Sequence, residues 1–78
     1  MENHTQDDDL KAHLLATNED FRTLAEQHAH LKQQIQAIES KAHVTSADEI
    51  EEQRLKKLKL HVKDQMNELM AQYRHASV

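Results

Sequence analysis

Seven histidines in a 78-residue chain are the side chains here most able to do chemistry, as metal ligands or as pH-sensitive groups. Their spacing argues against a metal site. His28 and His30 are two residues apart, so a helix points them to different sides and they cannot chelate one ion. His13, His43, His61 and His75 stand at no ligand-like spacing to one another or to a pair of carboxylates. The chain contains no glycine and no cysteine, which removes phosphate-cradling loops, thiol nucleophiles and thiolate sites. No H-E-x-x-H is present, and no serine sits in a nucleophile context. The expectation is a non-enzymatic chain without catalytic, cofactor-binding or metal-ligating residues.

The second candidate is the basic run Arg54, Lys56, Lys57, Lys59 and Lys63. At 100° per residue, Lys56, Lys59 and Lys63 form one stripe on a helix. Such a stripe is either a solvated flank, with Glu52 pairing to Lys56 at i, i+4, or a docking surface for RNA or an acidic protein. The net charge of −4 and a total of two aromatic residues leave little to hold phosphates or stack bases, so nucleic acid is not the expected ligand.

These residues need elements to position them, and the apolar spacing supplies the elements. Phe21, Leu24, His28, Leu31, Ile35 and Ile38 recur by 3, 4, 3, 4, 3, the seam of a helix packed lengthwise on another. Leu55, Leu58, Val62, Met66, Leu69 and Tyr73 recur by 3, 4, 4, 3, 4, a heptad pattern with one stutter. With no glycine or proline, nothing forces the backbone out of helix over most of its length. Asp7, Asp8 and Asp9 precede Leu10, Leu14 and Leu15 and suit the positive end of a short first helix. Thr17 and Asn18 are both N-cap types, and Ser46-x-x-Glu49 reads as a capping box.

Helices are therefore expected at about 7–16, 18–40 and 46–75, with residues 1–6 a flexible tail and 7–78 one domain. The short connection near residue 43 makes the two long helices antiparallel neighbours. Equal rise on both arms then sets Leu31 opposite Leu55, Leu24 opposite Val62, Phe21 beside Met66 and His28 opposite Leu58. His28 is the polar intruder on its seam. It is either a packed or flanking histidine, or a switch that couples register or assembly to pH. Leu60 lies off the main stripe, with Met70 between it and the seam, so the two mark a second apolar edge.

With the residues placed, the chain resembles the YdcH-like family of small bacterial helical-hairpin proteins, a family of unknown function. The resemblance rests on Asn18-x-x-Phe21-x-x-Leu24-x-x-x-His28-x-x-Leu31-x-x-x-Ile35 and on Leu55-Lys56-Lys57-x-Lys59-Leu60-x-Val62-Lys63-Asp64-x-Met66. Relatives often carry proline after the asparagine, where this chain has Glu19. What the resemblance implies is a hairpin fold and a bacterial cytosolic setting, with no activity attached.

The expected fold is all-α, a coiled-coil-like antiparallel hairpin with a short N-terminal helix. A core this small is marginal alone, so assembly into a helical bundle is the economical solution. The expected function is a self-associating protein–protein interaction module, with an unidentified protein as a further partner. Its surface would comprise Leu60, Met70, Lys56, Lys59 and Lys63, with His28 as the switch position. An RNA-associated regulator or adaptor using the lysine stripe is the alternative. The acidic N-terminus does not read as a signal peptide, and no apolar run reaches membrane-spanning length; the cytoplasmic setting expected is the one the resemblance implies.

Overall fold

A chain without glycine or proline can leave the helix only where side chains cap the exposed backbone groups, and this one does so twice. The computed structural model describes the backbone of residues 2–76 and the side chains of residues 8–74. Its elements are α1 (Glu2–Thr17), α2 (Glu19–Glu39) and α3 (Ser46–Ala76). The helix expected from residue 7 thus begins at Glu2, because residues 2–6 continue the same backbone. Met1, Ser77, Val78 and the side chains of His4 and His75 lie outside the described residues.

The first break is one residue long. Asn18 adopts extended backbone at φ −115°, ψ 114°, and its Oδ1 accepts from the Phe21 N–H at 2.8 Å. Its own N–H donates to the Leu14 carbonyl at 2.7 Å, and its Nδ2 donates to the Tyr73 hydroxyl at 3.0 Å. The Arg22 guanidinium reaches back to the Leu15 and Ala16 carbonyls, at 3.1 and 3.4 Å, and covers the end of α1. Of the two cap candidates, Asn18 is the one used. Thr17 instead donates to His13 within α1.

The second break is the hairpin turn between α2 and α3. The Ser40 and Lys41 N–H groups return to the Gln36 and Ile38 carbonyls at 3.0 and 3.1 Å. At the start of α3, the Asp48 N–H donates to Thr45 Oγ1 and the Thr45 N–H donates to Asp48 Oδ2, both at 3.1 Å. The capping box is therefore Thr45-x-x-Asp48, one residue earlier than the Ser46–Glu49 box expected. The cap residue must lie outside the helix, and Ser46 is already its first member. Lys41 clamps the same Asp48 across the turn at 2.8 Å.

Between these caps the two long helices pack antiparallel, and the core divides in two. Near the turn, Ile35, Ile38 and Leu55 are buried together with Leu31 against them, which keeps the expected Leu31–Leu55 neighbourhood. At the open end, Leu14, Phe21 and Met70 form the second cluster, with Leu10, Met66 and Leu69 packed on it. Val62 is buried along the same stripe of α3. The molecule measures 50 × 25 × 17 Å, a length set by α3, whose 31 residues rise about 46 Å.

The Asn18 junction is testable through its two separate roles. Asn18→Ala removes the cap and the Tyr73 contact and should cost about 1–2 kcal/mol in thermal unfolding. Asn18→Asp keeps the cap acceptor but lacks the amide donor, and should recover most of that loss. Equal destabilisation by the two variants would contradict capping as the main role.

Candidate functional site

The stutter in α3 decides which side chains share a face. Each four-residue step, from Leu58 to Val62 to Met66, advances the stripe by about 40° around the helix. Leu58 and Met66 therefore fall on opposite shoulders of the seam. Leu58 is 40% exposed and lines a groove of about 300 Å³ with Gln27, His30, Leu31 and Val62. His28 lies on the other shoulder, half-buried in a cleft of about 210 Å³. The expected packing of His28 on Leu58 is thus corrected: the imidazole faces Lys63, Met66 and Met70 of α3 and Lys11 of α1.

The second apolar edge is also reassigned. Met70 is only 2% exposed, because α1 lays Leu10 and Leu14 over this part of α3. It belongs to the intramolecular core and is unavailable to a partner in this fold. Leu60 is 60% exposed, and its neighbours three and four residues away are Lys56, Lys57, Lys63 and Asp64. One leucine amid four charges makes no continuous apolar patch.

The lysine stripe is divided among three environments. Lys56 lies 3.6 Å from both Glu39, across the hairpin, and Glu52, the i, i+4 partner expected from the spacing. Lys59 is half-buried, and Lys63 lines the His28 cleft. Lys11 also lines that cleft, and Lys32 acts on His28 from nearby, although neither stood out in the sequence. Lys32 was legible as the residue one turn beyond His28, whereas Lys11 reaches the cleft only through the docking of α1.

Burial is the first cause that lowers the His28 pKa below its ordinary value. The ammonium groups of Lys59, Lys63, Lys32 and Lys11 act in the same direction. Among the described residues, the charges that shift the ring are ammonium groups, which favour neutral imidazole. Among the described residues, no group of three or more histidines and carboxylates could hold a metal ion. Among the described residues, no helix is long and apolar enough to cross a membrane.

The sign of the pH effect follows. Below about pH 6.5 the unfolded chain binds a proton at this residue more readily than the folded chain, so its contribution to stability falls with pH until the lower folded pKa is passed. His28→Gln cannot titrate. The parent should therefore lose thermal stability relative to this variant between pH 7 and 5, and added salt should shrink the part due to lysines. A parent–variant difference that stays constant from pH 5 to 8 would contradict this environment for His28.

A family model described as "Protein of unknown function (DUF465)" matches residues 21–70, more than half of the chain. That span opens at Phe21 and closes at Met70, two of the three buried members of the open-end cluster. Searches of curated proteins and of solved structures returned no match. With its paired helices, its lysine–leucine block and this match, the chain belongs to the DUF465 family of proteins of unknown function, the YdcH-like hairpins that its sequence resembles.

Proposed function

We propose that this chain is a non-enzymatic protein–protein interaction module that self-associates, two copies meeting through the flank of the hairpin that α1 leaves uncovered. The observation that carries the reading is the groove of Leu31, Leu58 and Val62, apolar along its floor and open to solvent. α1 covers the opposite shoulder, so a second copy is the economical source of apolar surface for this one. The groove's rim supports an identical partner. It carries Gln27 and His30 from α2. In a two-fold interface each patch meets its own copy, and the residues that line the groove, Gln27, His30, Leu31, Leu58 and Val62, bring no ammonium or carboxylate group against its like.

The small core gives the same direction. Leu14, Phe21, Ile35, Ile38, Leu55, Val62 and Met70 are the buried apolar side chains among the described residues, a modest set for three helices. Pairing would bury Leu58 and extend the core into a helical bundle. The RNA reading has no comparable support, because Lys56 is ion-paired, Lys59 is half-buried and Lys63 borders the cleft. The proposed setting is the cytoplasm, which rests on the family resemblance.

Analytical ultracentrifugation tests the interface. Leu58→Glu should weaken self-association about tenfold or more while helicity by circular dichroism is retained, since Leu58 sits at the rim of the hairpin core. Leu60→Glu, on the charged flank, should leave the assembly unchanged. A parent chain that sediments as a monomer at micromolar concentration would overturn the proposal, as would an unaffected Leu58→Glu variant.

A further inference from the structure

The cleft around His28 has a composition that the interaction reading does not use. Lys11 comes from α1, His28 and Lys32 from α2, and Lys59, Lys63 and Asn67 from α3. Lys11, His28, Lys63 and Asn67 line the cleft directly. Lys32 stands one turn beyond His28 and Lys59 one turn before Lys63, so both flank the same opening. Two ammonium groups, Lys11 and Lys63, thus line one cleft beside His28, and two more, Lys32 and Lys59, act on the same imidazole, in a chain whose net charge is −4.

Among the described residues, none of these four lysines has an ion-pair partner within the chain, whereas Lys41, Arg54 and Lys56 each do. Like charges gathered beside a half-buried imidazole oppose one another unless an anion joins them. Burial first, and then these four ammonium groups, hold the His28 pKa below its ordinary value.

We propose that this cleft is a binding site for a small, multiply charged phosphate anion, held by Lys11, Lys32, Lys59 and Lys63, with His28 and Asn67 on its wall. A cup of point charges suits a compact tetrahedral anion, because each ammonium presents donors without the planar fork that favours a carboxylate. The Asn67 amide supplies a neutral donor beside them. The volume, about 210 Å³, equals roughly seven waters at ~30 Å³ each, room for one or two phosphoryl groups. No aromatic side chain lines the cleft to stack a base, so recognition stays with the phosphate. Because α1 contributes Lys11, occupancy would also fasten α1 to the hairpin and raise its stability through linkage.

The test is isothermal titration of the full chain with inorganic pyrophosphate, at ionic strength held constant with sodium chloride, alongside an NMR pH titration of His28. Saturable binding of one anion per chain is expected, with the His28 pKa rising when the site fills. Lys11→Gln and Lys63→Gln should each weaken binding about tenfold, and Lys63→Arg should restore most of it. Lys57→Gln, on the far side of α3, should bind as the parent does. Circular dichroism of each variant separates loss of charge from loss of fold, and the Lys63→Arg comparison decides the case if Lys63→Gln is unstable. The proposal is overturned if sodium chloride alone reproduces the response, if Lys57→Gln is as damaging as Lys63→Gln, or if polyuridylate binds while pyrophosphate does not.

Discussion

Leu14, Phe21 and Met70 exclude water at the point where all three helices meet, and the rest of the molecule depends on that contact. Each belongs to a different helix, so burying any one of them requires the other two. The hairpin alone would leave Met70 and the α3 edge open, and α1 alone has no stripe broad enough to remain helical in water. Docking α1 solves both problems with Leu10 and Leu14. The Asn18 junction makes this possible at short range, since a single extended residue reverses the chain while its side chain caps the next helix.

That docking makes the two shoulders of the hairpin unlike one another. On the covered shoulder, apolar residues are buried and the polar residues that remain are mostly cations around His28. On the uncovered shoulder, the floor is leucine and valine and the rim is glutamine and histidine. Charge and apolar surface are thus sorted to opposite sides of one seam. The sorting comes from geometry: a four-residue step carries the α3 stripe across the face of the helix, so its two ends open to different flanks.

Electrostatics follows the same division. The ion pairs Lys41–Asp48, Arg54–Glu51, Lys56–Glu39 and Lys56–Glu52 gather around the turn and the first half of α3. They are exposed or partly so, and each adds little stability by itself. Their effect is to occupy cations near the turn, whereas Lys11 and Lys63 line the cleft without such a partner among the described residues. The acidic net charge of the chain therefore says little about the field at any one place on it.

How much of this was legible in the sequence depended on the range of the interaction. Helix identity, the antiparallel pairing, the Leu31–Leu55 neighbourhood and the Glu52–Lys56 pair followed from spacing, because periodicity and i, i+4 contacts are local properties of the chain. The caps were legible in kind but shifted by one residue at Thr45, where Ser46 and Glu49 offered an equally good pattern. Met70 and His28 were misplaced for a different reason. Both face α1, and a stripe read from two helices cannot say which shoulder a third will cover. Lys11 shows this limit most plainly: in the sequence it is one lysine in a helix, and only the burial of Leu14 against Phe21 and Met70 brings it beside His28. The sequence by itself determined the helices and their pairing, which rest on local periodicity. The tertiary structure decided what each flank presents, because that depends on contacts among residues far apart in the chain.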